Sequence, residues 1–120
     1  MPWDELRPRS PGFHHLEVTL DEEMPGVALR GSLDLADAGR AGRLLTEMAE
    51  AAAPRRLEVD ARDLEFIDSS GLACLVSAER AGRRLGGGLR LSVGPGPVRR
   101  LLELIDPAGS LLVQREGTRN

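Results

Sequence analysis

The chain is expected to fold as an α/β domain, a mixed sheet of four to five strands with three or more helices packed against it. Three observations carry that expectation. Short segments with period-two apolar alternation take turns with longer segments that carry a helical apolar stripe. The first two strand-like segments are separated only by a turn, which gives a hairpin and an antiparallel edge. After that, a helix stands between each strand and the next, which implies parallel pairing through right-handed crossovers.

The elements follow in order. Residues 1–12 are polar and carry Pro2, Pro8 and Pro11, so they read as a flexible arm. The domain proper is expected over residues 13–116, with a disordered tail at 117–120. Residues 15–20 alternate polar and apolar, residues 21–26 make a turn, and residues 27–33 form the second strand. A helical pattern begins within residues 34–37, where Asp37 is a good N-cap candidate. Its stripe is Ala41, Leu44, Leu45 and Met48, and Pro54 stops it. Residues 56–60 are a short strand, with Leu64, Phe66 and Ile67 continuing its apolar register. The next helix carries Leu72, Leu75 and Val76 on one face and ends at Gly86-Gly87-Gly88. Residues 89–93 alternate again. Pro97 suits the first turn of a third helix with Val98, Leu101, Leu102 and Ile105 as its stripe, closed by Asp106-Pro107. Residues 110–114 form a last strand or a packing segment. Neither an internal repeat nor a second domain is visible.

Composition narrows the function classes. The 41% hydrophobic and 29% charged fractions are those of a soluble globular domain. Trp3, Phe13 and Phe66 are all the aromatics, too few for a base-stacking platform. A net charge of −3 disfavours a phosphate-backbone binder, even though all 16 basic residues are arginine. Cys74 is the one cysteine; it excludes an intramolecular disulfide, fits a reducing compartment and reads as a small buried hydrophobe. No apolar run approaches the roughly 20 residues of a membrane-spanning helix. No signal peptide is visible, so a soluble cytoplasmic protein is expected.

Residues 63–72, Asp63-Leu64-Glu65-Phe66-Ile67-Asp68-Ser69-Ser70-Gly71-Leu72, hold the strongest functional signal. They pass from an apolar strand through an acidic-hydroxyl turn into an amphipathic helix. The bland reading is that Asp68 or Ser69 caps that helix, as Asp and Ser commonly do. A serine at this position also faces free N–H groups and the positive end of the helix dipole, which favour a phosphate. The adjacent Asp68 opposes one, so the serine has the makings of a two-state switch.

Those ten residues resemble the Asp-Leu-x-x-x-Asp-Ser-Ser/Thr-Gly-Leu signature of the STAS domain family, which includes bacterial anti-sigma-factor antagonists. Gly31-Ser32-Leu33-Asp34 resembles the family's Gly-x-Leu-Asp at the end of the second strand. Pro97-Val98-Arg99-Arg100-Leu101-Leu102 resembles its last helix, and the likeness as a whole covers roughly residues 14 to 114. It implies a STAS fold and a non-enzymatic binding module, with Ser69 as the phosphorylated residue and Asp34, Asp68, Ser69, Ser70, Gly71 and Leu72 as the partner-binding set. It further implies an anti-sigma-factor serine kinase as partner, bound while Ser69 is unphosphorylated, and a metal-dependent serine phosphatase that resets the cycle. ATP and metal then belong to those partners; this chain is expected to hold no cofactor and no metal, and to be monomeric when free. Ala73 stands where relatives often carry glycine, a change between small residues.

Rival readings are weaker. The same fold serves as an accessory or scaffold subunit of lipid-transport ATPases and stress-sensing complexes, and the transporter-attached version would need a membrane segment. A hydrolase pairing Ser69 or Ser70 with His14 or His15 lacks the Gly-x-Ser-x-Gly elbow. His14-His15 lacks the spaced ligands of a metal site, and the glycine-rich turns lack a phosphate-loop lysine. Arg80, Arg83 and Arg84 read as a solvated helix face, and Asp21-Glu22-Glu23 as an exposed turn.

Overall fold

The computed structural model describes residues 13–21, 25–105 and 113–115. The arm with Trp3, the tail at 117–120, the middle of the first turn and the expected helix stop at Asp106-Pro107 lie outside those residues. The element order is β1 (Leu16–Asp21), β2 (Gly26–Leu33), α1 (Leu35–Ala52), β3 (Arg56–Ile67), α2 (Ser69–Arg83), β4 (Gly88–Val93), α3 (Pro97–Ile105) and β5 (Val113–Arg115). The strands form a five-stranded sheet in the order β1-β2-β3-β4-β5. β1 and β2 pair antiparallel, and every later pair is parallel.

Because the chain advances across the sheet in one direction, right-handed crossovers put its helices on one face. α1 packs against α2 there, and α3 extends the layer by contacting β3 and α2. Period-two alternation supplies the sheet's side of the core: Leu29 and Leu33 of β2, Leu57, Val59 and Ile67 of β3, and Leu89, Leu91 and Val93 of β4 are buried. Ala41, Leu45 and Met48 of α1 and Leu75 and Ala78 of α2 meet them at helical spacing. The intervening strand residues form a polar second face. On it Glu17 lies opposite Arg30 at 3.8 Å, and Glu58 opposite Arg90 at 3.9 Å. Such exposed cross-strand pairs stabilise weakly, and their main effect is to keep this face solvated.

Two expectations change. β3 runs unbroken for 12 residues instead of stopping at Asp60, and Phe66 near its end is 42% exposed. Burial in β3 changes from a spacing of two at Leu57, Val59 and Ala61 to a spacing of three at Leu64 and Ile67, with register shifts against β2. Phe66 therefore falls outside although it stands two residues from the buried Leu64. α1 is capped by Asp34 and not by Asp37, which lies within the first turn. Asp34 has the extended backbone of a cap, and its carboxylate accepts from the Ala36 N–H at 3.1 Å. The two helix starts nevertheless differ from expectation by only a few residues, because the caps themselves are what the strands run into.

Met48 is wholly buried beneath the sheet. Met48→Ala should cost about 2–5 kcal/mol. In urea unfolding this should lower the midpoint at unchanged slope; an unchanged midpoint would mean that the helix layer is not packed as described.

Candidate functional site

β2 and β3 end side by side, with Leu33 the register partner of Ile67, and each runs directly into a helix. Two helix N-termini therefore meet at one edge of the molecule, and their unpaired N–H groups need acceptors. Asp68 serves both. One carboxylate oxygen accepts from Gly71 N–H of its own helix at 2.9 Å, and the other accepts from Leu35 N–H, the first residue of α1, at 3.2 Å. The helices can sit this close to the strand ends because residue 71 is glycine. A β-carbon there would lie 2.2 Å from the Leu33 carbonyl oxygen and 2.8 Å from Ile67, so no side chain fits without displacement of backbone.

Gly31 has a related role within β2. Its φ of +88° lies in the region L-residues avoid, and its missing β-carbon would be 2.3 Å from the His15 carbonyl. The kink lets Ser32 N–H donate to that carbonyl at 3.0 Å and sets Asp34 at the head of α1. Each letter of Gly31-Ser32-Leu33-Asp34 thus has a structural cause: a kink, a bond to the His15 carbonyl, a fully buried core leucine and a cap.

Asp37 is the residue that sequence reasoning misassigned, and its actual role is larger. It is 1% exposed, and its carboxylate accepts three main-chain N–H bonds from the start of β1: His14 at 2.7 Å, His15 at 2.7 Å and Leu16 at 3.0 Å. His15 Nδ1 also lies 3.2 Å from an Asp34 carboxylate oxygen. His15, Asp34 and Asp37 bring their ligand atoms within 4.8 Å of one another, a grouping that sequence spacing did not reveal. Asp37 spends both oxygens on the backbone of β1, and one Asp34 oxygen is taken by Ala36 N–H, so the trio is accounted for as a tie between strand and helix. The only warning in the sequence was a carboxylate at the third position of a helix, where it is free to reach back toward preceding chain.

The remaining site residues separate by exposure. Ser69 is exposed at the first position of α2, and its hydroxyl has no hydrogen-bond partner among the described residues. Ser70 is half-buried and lines a shallow groove between α1 and α2 with Gly42, Ala73 and Cys74. Gly71 and Leu72 are buried, so they can shape a binding surface but cannot form it. Asp34 and Asp68 are partly exposed beside Ser69. Leu35, 75% exposed, adds an apolar side chain that sequence reasoning missed. Burial pushes the Cys74 thiol up to about 12, which keeps it from acting as a nucleophile at neutral pH.

This one-sided α/β architecture, with an acid-capped serine where two helices start, defines a STAS-type domain. Residues 16–114 match the family described as "Mlab, STAS domain", and the chain belongs to the STAS domain family. Solved structures agree on the fold. An anti-sigma factor antagonist from Mycobacterium paratuberculosis superposes with a TM-score of 0.65 at 18% identity, covering 82% of each chain. A protein from Thermotoga maritima assigned as an anti-sigma factor antagonist gives 0.63 at 17% identity, covering 86% of this chain and 87% of that one. The antagonist SpoIIAA in its unphosphorylated form gives 0.61 at 18% identity, over 86% and 89%. Among curated proteins, none matches the chain in sequence. No helix among the described residues is long and apolar enough to cross a membrane.

Burial raises the Asp37 carboxyl, but the N–H groups of His14, His15 and Leu16, together with the charge of His14, bring it below its ordinary 3.8. A carboxyl lowered by folding stabilises the native state above its unfolded value and loses that contribution as pH falls through the lowered value. Asp37→Asn should therefore cost about 1–3 kcal/mol at neutral pH. Relative to wild type, its stability should also fall less steeply below about pH 4. Urea unfolding of both proteins across that range checks this, and parallel curves would contradict it.

Proposed function

We propose that the chain is an anti-sigma-factor antagonist whose binding state is set by phosphorylation of Ser69. The observation that carries this reading is the contrast between the two serines: Ser69 offers an exposed, unbonded hydroxyl at a helix N-terminus, whereas Ser70 faces the α1/α2 groove. Membership of the STAS family and the fold shared with three antagonist structures support it. The unphosphorylated surface around Ser69, Asp34, Asp68 and the exposed Leu35 binds an anti-sigma serine kinase. That kinase would otherwise hold its sigma factor.

Phosphorylation works by charge. A phosphoserine brings about −1.5 to −2 at neutral pH. Asp68 already occupies Gly71 N–H, so the phosphate finds only the first N–H groups of α2 and meets the carboxylates of Asp34 and Asp68. The helix stays where it is, and the surface becomes more acidic and more strongly hydrated. A partner packed on it loses affinity through repulsion and desolvation, and a metal-dependent serine phosphatase restores the binding form. The chain acts as a binding module and needs no catalytic residue of its own.

The test is capture from native cells with wild type, Ser69→Ala, Ser69→Asp and Leu35→Asp, read by mass spectrometry. Wild type and Ser69→Ala should retain an ATP-binding serine kinase. Ser69→Asp should lose it by tenfold or more, on the order of 1.4 kcal/mol. Leu35→Asp should weaken capture without lowering the melting temperature, since that side chain is 75% exposed. Recovery of a transporter ATPase or scaffold proteins, indifferent to Ser69→Asp, would overturn the reading in favour of an accessory subunit.

A further inference from the structure

At the opposite end of the sheet from Ser69, the starts of β3 and β4 and the turns before them enclose a polar cleft of about 420 Å³. Its walls include Arg55, Arg56 and Arg90, and its floor includes Gly86 and Gly87. The cleft exists because the turn after α2 packs onto the turn after α1: a β-carbon on Gly87 would lie 2.6 Å from the Arg55 carbonyl oxygen. Arg55 and Arg56 are exposed, and neither has a side-chain hydrogen bond or ion pair among the described residues. Arg90 reaches its one partner among the described residues, Glu58, at only 3.9 Å.

We infer that this cleft binds a phosphate group through the guanidinium groups of Arg55, Arg56 and Arg90. The local charge supports an anion in spite of the chain's overall charge of −3. The C-termini of α1 and α2 lie at this end of the sheet and together contribute roughly one negative charge. With Glu58 that makes about two, against three arginines that carry their charge at any physiological pH. The geometry suits a multivalent oxyanion better than chloride, because planar guanidinium groups bind phosphate oxygens in paired hydrogen bonds. The site lies far from Ser69 and does not depend on the function proposed for it.

Two sources present such a group, a soluble phosphate compound and a phospholipid headgroup. The full-length protein, ¹⁵N-labelled, is titrated with inorganic phosphate at constant ionic strength, in parallel with sedimentation on phosphatidylcholine–phosphatidic acid vesicles. Saturable shifts of the Gly86 and Gly87 amides and of the Arg55, Arg56 and Arg90 Nε–H signals identify a soluble source. Vesicle binding that Arg55→Gln/Arg56→Gln abolishes identifies a lipid source. The double variant should weaken phosphate binding roughly tenfold or more at an unchanged melting temperature. Glu58 lines the same cleft 3.9 Å from Arg90, so Glu58→Gln should bind phosphate at least as tightly. Weaker binding by that variant would count against the site. Shifts that stay linear and equal those of the distant Arg43, with vesicle binding absent or insensitive to Arg55→Gln/Arg56→Gln, would overturn the inference.

Discussion

Everything at the edge where β2 and β3 end depends on how one carboxylate satisfies two helices. Asp68 accepts from Gly71 of α2 and from Leu35 of α1, so each helix start finds some of its missing acceptors on the same side chain. An ionised acceptor between two positive helix ends is favourable from both directions. The arrangement requires that both strands end level and that α2 approach the Leu33 carbonyl to a distance only glycine permits. Cap, glycine and strand register are therefore one constraint expressed at three positions. The hydroxyl of Ser69 is left over from it, presented to solvent by a frame that makes no use of it.

Three aspartates crowd this edge, and the protein tolerates them because each is answered by main-chain donors. Asp34 takes Ala36 N–H, Asp37 takes three from His14, His15 and Leu16, and Asp68 takes two. Their negative charge is locally compensated by dipoles, but their fields still reach solvent where Asp34 and Asp68 are partly exposed. A further anion on Ser69 would thus meet a geometry that is already settled and a potential that is already negative. Such a site responds to modification through its surface field and not through refolding.

The strand and helix order was legible because alternation of period two and stripes of period 3.6 are written directly in side-chain polarity. The motifs were legible in part: Asp68 caps its own helix, which is local, but its bond to Leu35 and the close approaches of Gly71 to Leu33 and of Gly31 to His15 are contacts the sequence does not show. What escaped was non-local. Asp37 looked like a cap because nothing in the sequence shows that three N–H groups more than twenty positions earlier would come to lie over it. Phe66 looked like part of the apolar register because it stands two residues from Leu64, and the sequence does not show that the register against β2 shifts there. The Arg55, Arg56 and Arg90 cleft also escaped, since its arginines come from the starts of β3 and β4 and the turn before β3, and meet only when parallel strands bring their starts together.

Glu79 shows what the fold does with α2 as a mechanical element. It is buried on the last turns of the helix, where it accepts from Leu89 N–H of β4 at 2.6 Å and from the guanidinium of Arg83. Asp68 pins the other end to β2 and α1. The helix is consequently a beam clamped at both supports, with no free end to swing and no slack to slide. A group added at its first residue would have no mechanical route to the far side of the domain, so whatever read it would have to touch it.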